Sequence, residues 1–243
     1  MNRKTLSFVI AMFLAVGFTV NASAQTYTAD LSWSSQSAFK LFGSTASTRP
    51  IGALDVTVEK GSWSAELIVV RGIGDQNQGE QADYYDGFIT RSWESGKFSG
   101  SYGTEIFHAP AQLGGPHATF IGPLAKMTWK YNDHFSMKTG VQYVGTYNTD
   151  YGGDRIYGWV QPTFSVGWWR LSLDVSPGYI AGNTGRTTQY LSSTLSLDLR
   201  HDSRLYVSYL QAESWGTGEP GMVPIDGTWT GGVTITFNNP NDH

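Results

Sequence analysis

The chain has 243 residues, 40% hydrophobic and 15% charged, with a formal net charge of −4 and no cysteine. Without thiols it can form no disulfide staple and carry no lipid on a mature N-terminal cysteine. No basic cluster accompanies the aromatic residues, which argues against nucleic acid as a partner.

Residues 1–24 read as a secretory signal peptide. Arg3 and Lys4 supply a basic start, Leu6 to Val20 an apolar core, and Ala22-Ser23-Ala24 a small-residue cleavage site before Gln25. An uncleaved membrane anchor is the alternative, disfavoured by the short apolar run. From Gln25 onward 14 Lys and Arg face 20 Asp and Glu, a formal charge of −6. No later apolar run approaches the length of a transmembrane helix. The mean hydropathy of −0.26 leaves a membrane barrel open, because alternation hides its lipid-facing half.

The remaining chain reads as a series of long amphipathic strands. Alternation predicts twelve of them, at approximately 27–35, 51–59, 62–71, 84–94, 97–107, 119–131, 134–147, 155–168, 169–180, 188–200, 204–212 and 227–238. The pattern is plainest around residue 200. Leu191, Leu195, Leu197 and Leu199 share one face, Ser192, Thr194, Ser196, Asp198 and Arg200 the other, and Leu205, Val207 and Tyr209 resume the apolar face after a tight turn. Each arm has about the length of a tilted strand crossing a bilayer. The strands around Phe88–Trp93 and Phe98–Phe107 alternate poorly.

Short polar turns fall at Glu59–Ser62, Glu94–Lys97, Asn132–His134, Trp168–Arg170 and His201–Ser203. Six longer segments rich in Gly, Asn, Asp and Pro lie between them: Gln36–Pro50, Gly72–Asp83, His108–Ala118, Asn148–Asp154, Gly182–Thr187 and Ala212–Asp226. Short turns alternating with long loops predict an all-β fold, a 12-stranded antiparallel up-and-down transmembrane β-barrel spanning 25–237 with a polar tail at 238–243. Trp63, Trp93, Trp129, Trp168 and Trp169 fall near short turns. Trp33, Trp215 and Trp229 fall near long loops, as two aromatic belts require. The competing fold is a soluble β-sandwich, whose strands are usually nearer six residues.

On the opposite face from the lipid, alternation places Asp30, Asp55, Glu66, Glu105, Lys130 and Lys138, together with Arg170, Asp174, Asp198 and Arg200. Glu66, Lys138, Arg170 and Asp174 are expected to set a constriction. Whether lumen charges pair into a plug or line a hydrated path is left open, since twelve strands lie between filled and open barrels. The acidic excess predicts at most a weak cation preference.

An enzyme is the rival class. His201-Asp-Ser203 with Glu213 is similar to the His-x-Ser plus Glu arrangement of lipid A deacylases, but Ser203 and Glu213 would lie at opposite ends of one strand. A turn therefore explains His201–Ser203 better. His108 and His117 flank one loop without carboxylates at ligand spacing, so neither catalytic residues, a metal nor a cofactor is expected.

One stretch carries a family resemblance. A loop ending in Arg49-Pro50, then Ile51-Gly-Ala-Leu-Asp55, then a Lys60-Gly61 turn leading into a Trp63 strand resembles the small outer-membrane β-barrels of Gram-negative bacteria, and loosely the TorF porins. Phe39-Lys-Leu-Phe-Gly43 replaces that family's aromatic-Arg-Gly-Ile-Ser segment, and Phe237 is followed by Asn238–His243 rather than ending the chain. The resemblance implies the cell outer membrane and passive diffusion of small polar solutes or ions. It also implies contact with outer-membrane lipid and lipopolysaccharide, and with the barrel-assembly machinery during biogenesis. A closed structural or adhesive barrel is the third reading.

Overall fold

The computed structural model describes residues 26–39, 44–75, 82–110, 118–146, 154–183, 187–199, 202–215, 223–224 and 227–238. The expected signal peptide and most of the polar tail lie outside them. The strands are β1 (Thr26–Ser34), β2 (Ser37–Phe39), β3 (Ser44–Ser47), β4 (Ile51–Lys60) and β5 (Trp63–Gly72). Next come β6 (Tyr84–Ser95), β7 (Phe98–Ala109), β8 (Ala118–Lys130), β9 (Phe135–Thr146) and β10 (Arg155–Trp168). The last are β11 (Leu171–Gly182), β12 (Thr187–Asp198), β13 (Ser203–Trp215), β14 (Val223–Pro224) and β15 (Thr228–Asn238).

Twelve of these close into one antiparallel barrel in sequence order, β1-β4-β5-β6-β7-β8-β9-β10-β11-β12-β13-β15. Closure is made by β1 against β15, with Ala29 opposite Phe237 and Trp33 opposite Val233. A closed ladder leaves no strand edge unpaired, which a hydrocarbon environment demands. The sandwich alternative is excluded by this topology. Within the first and last long connections, β2, β3 and β14 form a separate small sheet. Turn chemistry predicts loops for both stretches, and β14 has only two residues. The first connection is also tied to β15, where the Ser35 amide donates to the Gly231 carbonyl at 2.9 Å.

The short turns need left-handed backbone. Gly61 and Gly96 supply it without a Cβ penalty, whereas Trp169 (φ 55°) and Asp202 (φ 52°) adopt it as side-chain-bearing residues. At the β8–β9 turn the Asn132 carboxamide oxygen accepts the amides of His134 and Phe135 at 2.9 and 2.8 Å.

Alternation is faithful along the wall. Leu31, Ile121, Val141, Phe164 and Leu195 stand outward and are about half exposed, as a lipid-facing band would be without its lipid. Trp33 and Trp229 mark the long-loop end of that band. Trp63, Trp93 and Trp168 mark the short-turn end, and all five face outward. Trp129 packs edge-on against Tyr131 and Phe135. Trp169 sits on the turn itself, 82% exposed, and the side chain of Trp215 lies outside the described residues.

Candidate functional site: the barrel lumen

The lumen has two walls of different chemistry. On β10 to β15 the inward positions are chiefly hydroxyls, joined across strands. Thr163 and Ser176 lie 3.0 Å apart, Thr194 and Ser208 lie 2.8 Å apart, and Ser165 donates to Asp174 at 2.6 Å. On β1 and β4 to β7 each strand presents an inward carboxylate. Asp30 is directly opposite Asp55, and Glu66, Asp86 and Glu105 follow on the next three strands. Asp55 and Glu66 are within hydrogen-bonding reach of each other, as are Asp86 and Glu105. The Gln142 amide donates to Glu105. Lys126 lies in this field with its ammonium 5.0 Å from the centre of the Phe88 ring. One buried oxygen on each of Asp30, Asp55 and Asp86 has no hydrogen-bond partner, a costly state that hydration or a passing cation would relieve.

Depth divides the lumen a second time. Near the short turns it is polar, and a cavity of about 560 Å³ is lined by Asp30, Asp198, Asp202, Arg204, Thr234 and Thr236. Near the long loops it is chiefly apolar, interrupted by the buried Arg155 opposite Val144 and Thr188 opposite Ile180. Ile51, Val70, Phe107, Phe120 and Val144 face inward there and are buried. Tyr157, Ile180, Tyr190 and Leu210 continue the same girdle on β10 to β13, and Tyr157 is only 2% exposed. From Phe107 to Leu210 these side chains form one packed cluster. Within it the Phe107 and Phe120 rings stack with centroids 4.7 Å apart, and Tyr84 stacks on Phe107 at 5.6 Å.

Large inward rings are accommodated by glycines directly opposite them. Tyr190 faces Gly178 and Trp159 faces Gly140, and in both pairs a Cβ on the glycine would run into the ring. The Tyr190 hydroxyl then reaches Gln161 at 3.0 Å.

The residues singled out from sequence do not converge on one constriction. Glu66 belongs to the acidic wall, and Asp174 to the hydroxyl wall. Lys138 lies in the inner lumen opposite Gln161. Lys130 ends β8 and pairs with Asp133 of the turn at 2.9 Å, and the hydrogen bond and charge of Lys130 hold the Asp133 carboxyl below its ordinary range. Asp198 pairs with Arg204 at 2.7 Å, both of them half exposed. Arg170 is not in the lumen. Leu171 pairs with Trp168 to close the β10–β11 hairpin, which leaves Arg170 on the turn with its guanidinium 5.1 Å from the Trp169 ring. Arg200 lies outside the described residues.

Sequence reasoning missed Asp86, Lys126 and the apolar girdle. Lys126 carried a usable signal, since counting by twos from Lys130 along β8 reaches it, whereas Asp86 lies on a strand that alternates poorly. Of the rival catalytic set, His201 is outside the described residues. Ser203 begins β13 and Glu213 is ten residues along it, roughly 33 Å away at the rise of a strand. His108 faces outward, its Nδ1 2.7 Å from the Thr119 hydroxyl and its ring stacked on Tyr85. His117 is outside the described residues. Among the described residues no group of three or more acidic or imidazole side chains could hold a metal ion.

No family model matches the chain, and no curated protein sequence matches it either. The TorF likeness therefore rests on the Arg49–Trp63 stretch alone. Solved structures do match. The chain is similar to the "KdgM porin" at 11% identity and TM-score 0.55, covering 86% of this chain and 99% of that one. It is similar to the "NanC porin" at 10% identity and TM-score 0.56, covering 85% and 98%. It is also similar to the COG4313 outer membrane channel from Pseudomonas putida F1, at 10% identity and TM-score 0.51, covering 90% and 97%. At such identities the likeness establishes a shared fold, the closed barrel of outer-membrane porins and channels.

Proposed function

We propose that this protein is an outer-membrane channel for passive diffusion of small polar solutes or ions. The observation that carries the reading is the two-sided wall: an apolar, aromatic-belted outer face against an inner face of hydroxyls and carboxylates. A barrel serving only as an anchor has no need of a polar interior with a 560 Å³ inner vestibule. The porin fold supports the same reading by analogy.

The acidic wall on β1 to β7 outnumbers its one nearby cation, Lys126, while Lys138 and Arg155 face inward from β9 and β10, so the lumen carries at most a weak preference for cations over anions. A structure of the KdgM porin is described as a complex with disordered oligogalacturonate, an acidic sugar polymer. The acidic wall of this chain would repel such a cargo. Lipopolysaccharide around the belts and the barrel-assembly machinery acting on the Phe237 strand are the partners this location brings. The lipid-hydrolysing alternative has no geometric support, and a Ser203→Ala variant is expected to behave as wild type in any lipid-hydrolysis assay.

The test is single-channel conductance of refolded protein in planar bilayers, after a gel shift between unheated and heated samples confirms the barrel. Discrete steps with a reversal potential favouring cations are expected. An inserted barrel that neither conducts nor lets sugars swell liposomes, in wild type and in lumen-widened variants alike, refutes the reading.

A further inference from the structure

We propose that the apolar girdle at the long-loop end of the lumen is the gate of the channel, a water-excluding segment that sets its conductance. The inference rests on the channel reading above and adds where the barrier lies. Its first support is position. The girdle residues sit toward the long-loop ends of their strands: Ile51 and Tyr84 are the first residues of β4 and β6, and Phe107, Val144 and Ile180 are each the tenth of twelve in β7, β9 and β11.

The second support is burial. A wall residue of a water-filled barrel is reached by solvent. Phe120 is 6% exposed, Val144 3% and Ile180 5%, so water does not reach these side chains although they face the bore. Nearer the short turns small inward residues such as Ser176 and Ser196 are buried too, but the long side chains of Lys130, Lys138 and Arg204 are exposed.

The third support is chemistry. The lipid face already gives every strand an apolar surface to bury, so folding does not call for a second apolar ring inside. A polar bore interrupted by packed Phe, Tyr, Val, Ile and Leu side chains makes a cation shed its hydration where little replaces it, because the one charge buried among them is the Arg155 guanidinium. The gate opens by displacement of the girdle side chains rather than by rearranging lumen charges.

Three barrels test this beside the wild type. Val144→Thr/Ile180→Thr/Leu210→Thr admits water with little change of side-chain size. Phe107→Ala/Phe120→Ala opens space. Val141→Thr makes the first kind of change on the lipid face and serves as control. Both lumen variants are expected to raise single-channel conductance at least about twofold with cation preference retained, the acidic wall being untouched, while the control matches wild type. Lumen variants that conduct like wild type overturn the gate and leave the channel reading standing. A gain from the alanine pair but not from the threonine triple makes the barrier one of bulk and also overturns the inference. Silence from every inserted barrel overturns it together with the channel reading.

Discussion

The assignment of faces can be tested on two adjacent residues of β12, Thr194 and Leu195, by putting the same lysine at each. Leu195 stands outward, 48% exposed, beside Leu173 of β11 and Val207 of β13. The midpoint of β12 falls between Ser192 and Ser193, which puts Leu195 about 6 Å from the membrane midplane at the usual rise and tilt. A lysine on the lipid face costs about 2–4 kcal/mol at the midplane and little at the interfaces, so Leu195→Lys should cost about 2 kcal/mol, roughly 30-fold in the folding equilibrium. Thr194 faces the lumen. Its replacement loses the 2.8 Å contact with Ser208, about 1 kcal/mol, but puts an ammonium directly opposite Asp174, a cross-strand pair that returns up to about 1 kcal/mol. Thr194→Lys should therefore stay within about 1 kcal/mol of wild type. Equilibrium guanidinium unfolding in lipid vesicles, followed by tryptophan emission, measures both. Equal destabilisation, or a larger loss for Thr194→Lys, would refute the assignment of the two faces.

Two other outcomes follow from the lumen. Gly178→Val places a side chain where the Tyr190 ring lies and is expected to destabilise the barrel by about 1–3 kcal/mol, as overpacking does. Adding Tyr190→Ala should recover part of that loss, and additive losses in the double variant would show that ring and glycine are uncoupled. Replacing the acidic wall by Glu66→Gln/Asp86→Asn/Glu105→Gln should move the cation-to-anion permeability ratio toward unity, read from reversal potentials in a salt gradient. Arg170→Gln should leave the ratio unchanged, because Arg170 caps a turn, and a shift as large as that of the triple variant would contradict its placement.

The alternating strands and alternating connection lengths were legible in the sequence because a lipid-spanning wall must obey period 2 and must be joined by tight turns on one side. That constraint is local, so β12 and β13 could be read from Leu191–Tyr209 alone, and twelve strands closed without any knowledge of their partners. Where both faces carry apolar residues the signal cancels. The segments β6 and β7 alternated poorly for this reason: Tyr84, Phe88 and Phe107 face the lumen while Tyr85, Ile89 and Ile106 face outward. The small sheet of β2, β3 and β14 was likewise hidden, since it joins segments nearly 180 residues apart.

Function was less legible than fold. Each inward charge could be named from its strand, but which charges meet depends on register, and register is a pairwise property. That is why Arg170 fell on the turn, and why Asp86 beside Glu105 went unnoticed. Burial inside the lumen depends on what crosses the bore from several strands at once. Sequence alone determined that this chain builds a wall with a wet side and a dry side. Only the tertiary structure decided that part of the wet side is itself dry, because that is settled by how twelve inward rows converge on one axis.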